Sequence, residues 1–142
     1  MTEVYLPDPV IRPAGPTDPA PDLDIDALVR HLRAEVDGEI RFDAGSRGAC
    51  STDASSYRQA PVGVVVPRTV EDAARALVVC RRHRAPILPR GGGASLAVQC
   101  TNVAVVIDLS MYCTAPVSVD ARARSCSVGP GIVLDDLNSR LS

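Results

Sequence analysis

The sequence has 142 residues, a formal net charge of −2, 46% hydrophobic residues and 23% charged residues. These values are typical of one globular domain, and they exclude wholesale disorder and a strongly basic protein that binds duplex DNA through its phosphates. Aromatic residues make up only 3% of the chain, so stacking surfaces for single-stranded nucleic acid are also scarce. All fifteen basic side chains are arginine, which excludes a lysine-containing P-loop and a Schiff-base lysine.

The sequence carries no sign of export or of a membrane span. No apolar run approaches the length that crosses a bilayer, and residues 1–21 lack the basic start and apolar stretch of a secretory signal. The cysteines are odd in number and widely spaced, without a CxxC pair. We therefore expect reduced, partly buried thiols in a cytoplasmic protein, and no metal site built from these residues alone: Cys50, Cys80, Cys100, Cys113 and Cys126.

The first half of the chain divides into an arm, a helix and a loop. Six of the twelve prolines fall within residues 1–22, which predicts an extended arm that precedes the domain of residues 23–142. From Ile25 to Val36 the apolar residues recur at helical spacing, and Asp24 is placed to cap this helix. Residues 41–60 are polar and show no sustained periodicity, which favours a loop with turns.

The second half predicts a mixed α/β fold. Val62–Val66 is a continuous apolar run typical of a strand buried on both faces, and a helix capped by Thr69 follows it. Pro86 ends that helix, and Ile87–Leu88 begins another strand, so the three elements predict a right-handed βαβ unit. The remaining pattern predicts three further strands and a helix at the end of the sequence: Val103–Ile107, Val117–Val119, Ser125–Val128 and Ile132–Leu141.

Three consecutive glycines, residues 91–93, come directly after the strand that begins at Ile87–Leu88. Glycine adopts positive φ cheaply and lets a ligand approach the backbone, so successive N–H groups can converge on an anion. Arg90 adds a fixed positive charge and Ser95 a hydroxyl donor, and together these groups suit a diphosphate. A flexible linker and a tight turn at a sheet edge are the structural alternatives, whereas the Rossmann GxGxxG pattern does not fit.

Around this loop the sequence resembles a known family. Residues 89–99, PRGGGASLAVQ, are similar to the PRGGGTSLAGQ signature of FAD-linked oxidases with a PCMH-type FAD-binding domain. Four other blocks match in order, and the resemblance extends from Leu23 to the end, nearest to the large D-lactate or glycolate dehydrogenase-like branch. These blocks are residues 41–43 with 51–58, residues 64–68, residues 105–110 and residues 129–134.

The resemblance implies the N-terminal part of such a domain, a small, partly parallel sheet with flanking helices that is truncated at its C-terminal end. It implies that FAD is bound non-covalently, because the loop lacks the histidine that attaches FAD in some relatives. It also implies oxidation of a 2-hydroxy acid by hydride transfer to the flavin. It assigns no catalytic residue or metal ligand to this chain, and an iron–sulfur cluster only to a missing part of a longer one. The cofactor-binding residues it implies are Arg90, Gly91, Gly92, Gly93, Ala94, Ser95 and Gln99, with Gly129, Pro130 and Gly131 close by.

The sequence also departs from the family pattern. Ala94 replaces the usual threonine, Val98 a glycine, Cys50 an aromatic residue and Met111 a lysine. Loss of one hydrogen bond to a charged phosphate costs about 1.5–3 kcal/mol, which weakens binding without abolishing it. A β-branched residue at position 98 is expected to crowd the cofactor or to force a different backbone.

Three hypotheses about function remain open at this point. The chain is an N-terminal fragment of an FAD-dependent 2-hydroxy-acid oxidoreductase, inactive alone. Alternatively it is a non-catalytic module that binds a nucleoside diphosphate or completes a partner polypeptide, or else a degenerate remnant without function. Since the pattern ends inside a fold, we also expect an exposed apolar patch near the last strands.

Overall fold

The computed structural model of the chain describes residues 22–141, with the side chains of residues 116 and 117 excepted. The proline-rich arm predicted over residues 1–22 therefore lies outside the described residues, apart from Asp22. The described part contains four helices and six strands; helices and strands alternate up to β3, and the last four strands follow one another before the final helix. In chain order they are α1 (Ile25–Glu35), β1 (Glu39–Arg41), α2 (Ala44–Ala49), β2 (Gly63–Val66), α3 (Val70–Arg82), β3 (Ile87–Arg90), β4 (Val105–Asp108), β5 (Pro116–Asp120), β6 (Ser125–Val128) and α4 (Leu134–Leu141).

The strands form two separate sheets. The larger sheet has the order β1-β2-β4-β3, in which β1 is antiparallel to β2 and the other neighbours are parallel. The smaller sheet is the antiparallel pair β5 and β6. The predicted βαβ unit is present as β2, α3 and β3, because both strands run parallel in one sheet, and β4 is inserted between them.

The two long helices begin where the sequence predicts. The Asp24 carboxylate accepts the N–H of Ala27 at 2.9 Å, and the Thr69 hydroxyl accepts the N–H of Asp72 at 3.1 Å. Each cap satisfies one of the N–H groups that a first helical turn leaves without a partner. In α3 the first turn carries acidic side chains and the last turn basic ones, and both interact favourably with the helix dipole.

Helix α2 was missed by the sequence analysis, which predicts a loop over residues 41–60. Asp43 caps this helix by accepting the N–H of Ser46 at 2.9 Å. The helix has only six residues, two of them glycine, so it is too short to show an apolar period. It packs beside β2 on the face of the large sheet opposite α1 and α3.

The core lies on both faces of the large sheet. On one face Val65, Val105 and Ile107 pack against α1 and α3. On the other face Val64, Val66 and Val106 are buried with Cys50. Burial on both faces explains why β2 and β4 are continuous apolar runs rather than alternating ones.

The cysteines match their sequence interpretation. Cys50, Cys80 and Cys113 are buried, Cys100 and Cys126 are half-buried, and all five are free thiols. Burial raises the pKa of the Cys80 thiol to about 11, so it stays protonated and unreactive at neutral pH. Within residues 22–141 no three metal-ligating side chains lie close enough together to hold an ion.

Several exposed apolar residues lie on or near the last strands and the final helix, where the sequence predicts an apolar patch. Val119 of β5, Val133 before α4, and Leu134 and Leu141 of α4 are each about half exposed or more. Isolated exposed apolar residues are ordinary, but this group lies at the small sheet and the final helix, where little else packs. None of the helices in the described part combines the length and the apolar character that crossing a bilayer requires.

Adjacent valines of α3 test this description of the core. Val79 is fully buried, whereas Val78 is 57% exposed. Val79→Ala is expected to lower the free energy of unfolding by roughly 2 kcal/mol, because the substitution removes two buried methyl groups and leaves a cavity in the core. Val78→Ala, the matched control, is expected to change it by less than about 0.5 kcal/mol. Urea denaturation followed by circular dichroism measures both, and equal effects would contradict the assigned helix face.

Candidate cofactor-binding site

The glycine loop begins where β3 ends, at the carboxyl edge of the parallel strands. Arg90 is the last residue of β3 and pairs in register with Asp108, the last residue of β4. The N–H of Leu109 donates to the carbonyl of Arg90 at 2.9 Å, which fixes the start of the loop against the chain that leaves β4. Open α/β sheets bind ligands beyond the carboxyl ends of their strands, and this loop occupies such an edge.

The backbone of the loop presents donors that the protein does not use. Within the described part of the chain, the N–H groups of Gly92, Gly93, Ala94 and Ser95 donate to no protein acceptor. A Cβ added to Gly92 would meet no atom within 4 Å, so the backbone there faces open space. Next to it lies a cleft of about 250 Å³. Of these four residues Gly92 lines the cleft, and an unpaired N–H beside a polar cleft can donate to an anion.

Arg90 holds the loop in its conformation and also gives it a positive charge. Its Nη1 donates to the carbonyl of Cys100 at 2.8 Å, and its guanidinium lies over Gly93. Gly93 has φ +68°, and a Cβ there would overlap the Arg90 side chain. Glycine is therefore required at position 93 for its conformation and for the space that the guanidinium fills.

Ser95 and Gln99 close the far end of the loop. The Ser95 hydroxyl donates to Oε1 of Gln99, and its oxygen accepts the N–H groups of Ala97 at 3.2 Å and Gln99 at 3.3 Å. The sequence analysis predicts both residues as phosphate donors, and that role stays a prediction. In the structure their side chains hold the turn of residues 95–99 together.

Val98 adopts a backbone conformation that suits glycine. Its φ is +65°, the left-handed region that β-branched residues rarely enter. The sequence analysis expects a valine here to crowd the cofactor or to change the backbone. Val98 does not line the cleft, so the structure places its effect in local strain.

The second glycine pair packs on backbone. The N–H of Gly129 donates to Ala115 and that of Gly131 to Cys113, both at 2.9 Å, so neither is free for a ligand. A Cβ at either position would overlap a carbonyl of the segment that follows β4. The Pro130 carbonyl lies 4.0 Å from where a Cβ on Gly91 would stand, so this turn is beside the glycine loop, and the closeness of residues 129–131 to the cofactor stays a prediction.

Several residues that line the cleft were not predicted as site residues. Arg41 forms an ion pair with Glu39, which also accepts the hydroxyl of Tyr112 at 2.6 Å. Hydrogen bonds from Tyr112 and Arg41 hold the pKa of Glu39 below its usual range. Arg41 lies in a sequence block that resembles the family, but nothing in its local pattern shows that it faces the loop. The other unpredicted lining residues are Ser46, Ala49, Cys50, Val64, Asp108 and Ser110.

Comparison with known proteins decides the family. The sequence profile of the FAD binding domain matches residues 61–142, which is more than half of the chain. The chain belongs to the FAD binding domain family. It is 32% identical over 108 residues to D-2-hydroxyglutarate dehydrogenase of Haemophilus influenzae, and 29% identical over 113 residues to glycolate oxidase subunit GlcD of Bacillus subtilis. These matches cover 74% and 77% of the chain, but only 10% and 24% of the two relatives.

Solved structures agree on the fold. An alkyldihydroxyacetonephosphate synthase superposes with a TM-score of 0.71 at 22% identity, covering 96% of this chain and 30% of that one. The BBE-like 1 protein of Physcomitrella patens superposes with a TM-score of 0.64 at 24% identity, covering 80% of this chain and 25% of that one. The mixed α/β fold with a small, partly parallel sheet is thereby confirmed.

The residues present fit FAD. A dinucleotide carries a doubly anionic diphosphate, and the loop offers unpaired N–H groups, open space at Gly92 and the charge of Arg90. The absence of a threonine at position 94 removes one hydroxyl donor but leaves the backbone donors in place. FAD binding, predicted from the sequence, is thus supported by the family and by the loop geometry.

Replacement of Val98 by glycine tests the strain at this position. A left-handed backbone costs an L-residue about 1–2 kcal/mol, so Val98→Gly is expected to raise the free energy of unfolding by about 1 kcal/mol. Val133→Gly is the control, because Val133 is 56% exposed and has no positive φ. Val133→Gly is expected to lower the free energy of unfolding, because glycine increases the conformational entropy of the unfolded chain and relieves no strain at this position. Equal losses of stability in denaturant titrations of the two variants would contradict strain at Val98.

Proposed function

We propose that this chain is the FAD-binding part of a dehydrogenase or oxidase that acts on 2-hydroxy acids. The observation that carries the proposal is the agreement among relatives, because D-2-hydroxyglutarate dehydrogenase, glycolate oxidase and D-lactate dehydrogenase are all named for 2-hydroxy acids. The yeast D-lactate dehydrogenase is 29% identical over 110 residues. The cytoplasmic location expected from the sequence stays a prediction.

In this proposal the chain supplies cofactor binding and not substrate chemistry. The N–H groups of residues 92–95 bind the diphosphate, and Arg90 adds positive charge while holding the loop in shape. When bound, FAD would accept two electrons, as a hydride, from the carbon that bears the hydroxyl group. The resemblance assigns none of the residues of this chain as a catalytic base, so substrate binding belongs to another part of the assembly.

A second candidate function is a module that completes a partner polypeptide. The chain spans about a tenth to a quarter of the length of the relatives described above. The exposed apolar residues of β5 and α4 are the surface that such a partner would cover. In this case too, the chain alone is expected to be inactive.

Gly92 gives the sharpest test of cofactor binding. Since a Cβ there meets no protein atom and φ is not positive, Gly92→Ala fits the fold but occupies the space of the ligand. We expect it to raise the Kd for FAD by about tenfold or more. Gly48→Ala is the matched control, because its Cβ also meets nothing and it lies in α2 outside the cleft lining. Quenching of flavin fluorescence measures both, and equal affinities for wild type and Gly92→Ala would contradict binding at the loop.

Substrate class is tested by adding the missing part. The chain is co-expressed with a polypeptide equivalent to the remainder of a glycolate oxidase subunit, and a yellow complex is purified. Anaerobic addition of D-lactate, glycolate or D-2-hydroxyglutarate is expected to bleach the flavin absorbance of the complex but not that of the chain alone. L-Lactate serves as the stereochemical control. A stable yellow complex that none of the three acids bleaches would exclude this substrate class.

A further inference from the structure

A short segment far from the glycine loop in sequence contacts both of its limbs. The carboxylate of Asp53 accepts the N–H of Cys100 through Oδ2 at 3.3 Å. The N–H of Ala54 donates to the carbonyl of Gly93 at 3.1 Å. Two adjacent residues therefore hold the loop near its start and at its end, across 47 positions of sequence between Asp53 and Cys100.

Hydrogen bonds within residues 51–59 hold the segment together. The N–H of Gln59 donates to the carbonyl of Ser51 at 2.8 Å, and Thr52 bridges to Arg58. The other carboxylate oxygen of Asp53, Oδ1, accepts the N–H of Ser55 at 2.9 Å and its hydroxyl at 2.5 Å. Oδ1 thus holds the turn between Asp53 and Ser55, and Oδ2 accepts the N–H of Cys100.

Asp53 and Arg90 hold the two backbone polar groups of the same residue, Cys100, which lie in consecutive peptide units. Cys100 donates its N–H to Asp53, and its carbonyl accepts from Arg90 at 2.8 Å. The hydrogen bonds from Ser55 hold the pKa of Asp53 below its usual range, and the charge of Arg90 adds to this effect. The carboxylate is therefore ionised at neutral pH, which strengthens its bond to the Cys100 N–H.

We propose that Asp53 is a positioning residue that holds the diphosphate-binding loop in its ligand-ready shape without contacting the ligand. This inference rests on the proposed binding of FAD. Asp53 does not line the cleft, whereas Arg90, Gly91 and Gly92 do. A loop with three glycines loses much conformational entropy when it is ordered, so a support that orders it before binding raises affinity.

The test combines two variants with a matched control. Asp53→Ala removes both carboxylate oxygens, and Asp53→Asn keeps one acceptor oxygen but not the charge. Asp120→Ala is the control, because Asp120 likewise accepts a backbone N–H, that of Ala123 at 2.9 Å, in the turn between β5 and β6. For each full-length chain we measure the Kd for FAD, the thermal midpoint and the hydrogen exchange of the Ala54 amide without FAD.

Asp53→Ala is expected to raise the Kd for FAD by about tenfold, or about 1.4 kcal/mol. It is also expected to speed exchange at Ala54, whose own acceptor is unchanged, while the thermal midpoint stays close to that of wild type. Asp53→Asn should fall between wild type and Asp53→Ala, and Asp120→Ala should match wild type in affinity and in Ala54 exchange.

Three results separate the possibilities. Unchanged affinity and unchanged Ala54 exchange in Asp53→Ala would overturn the proposal. Weaker FAD binding with unchanged Ala54 exchange would also overturn it, because Asp53 would then act on the ligand and not on the loop. If wild type binds no FAD, the proposed function fails, and the exchange of Ala54 alone decides whether Asp53 positions the loop.

Discussion

A run of backbone N–H groups without protein acceptors is the constraint on which the site depends. Such groups are strong donors, and a folded chain leaves few of them unpaired unless water or a ligand completes them. Residues 92–95 carry such groups at the carboxyl edge of a sheet that is buried on both faces. Water satisfies such exposed groups in the absence of a ligand, and an anion is the ligand that matches their partial positive charge.

Side chains that the sequence assigns to the ligand are first used to build the loop. Arg90 ties the peptide group of Cys100 and fills the space over Gly93, and Ser95 caps the turn that ends at Gln99. The chemistry that makes these residues good phosphate donors also makes them good donors to the loop itself. The backbone N–H groups of residues 92–95 are left without protein acceptors in the described part of the chain, and Gly91 and Gly92 line the cleft. This division explains why loss of a threonine hydroxyl at position 94 is compatible with binding.

The sequence predicts those parts of the fold that rest on local pattern. Helix α3 has its cap, its period and its charge gradient within residues 69–82, and β2 is a single apolar run. Helix α2 has none of these features beyond Asp43, and the insertion of β4 between β2 and β3 depends on contacts between distant residues. The site divides in the same way. The glycines are visible as a motif, but the inward placement of Arg41 and the support from Asp53 arise only when residues 40–55 fold beside the loop.

The valine at position 98 links strain to cofactor binding. Its left-handed backbone is the conformation that a glycine would adopt at no steric cost, so the loop keeps that shape although the residue opposes it. A strained residue persists only where its surroundings over-determine the conformation. Here the hydrogen bonds of Ser95 to Ala97 and Gln99 span the strained position, and Arg90 and Asp53 hold Cys100, two residues after it. The loop geometry therefore comes from residues within this chain.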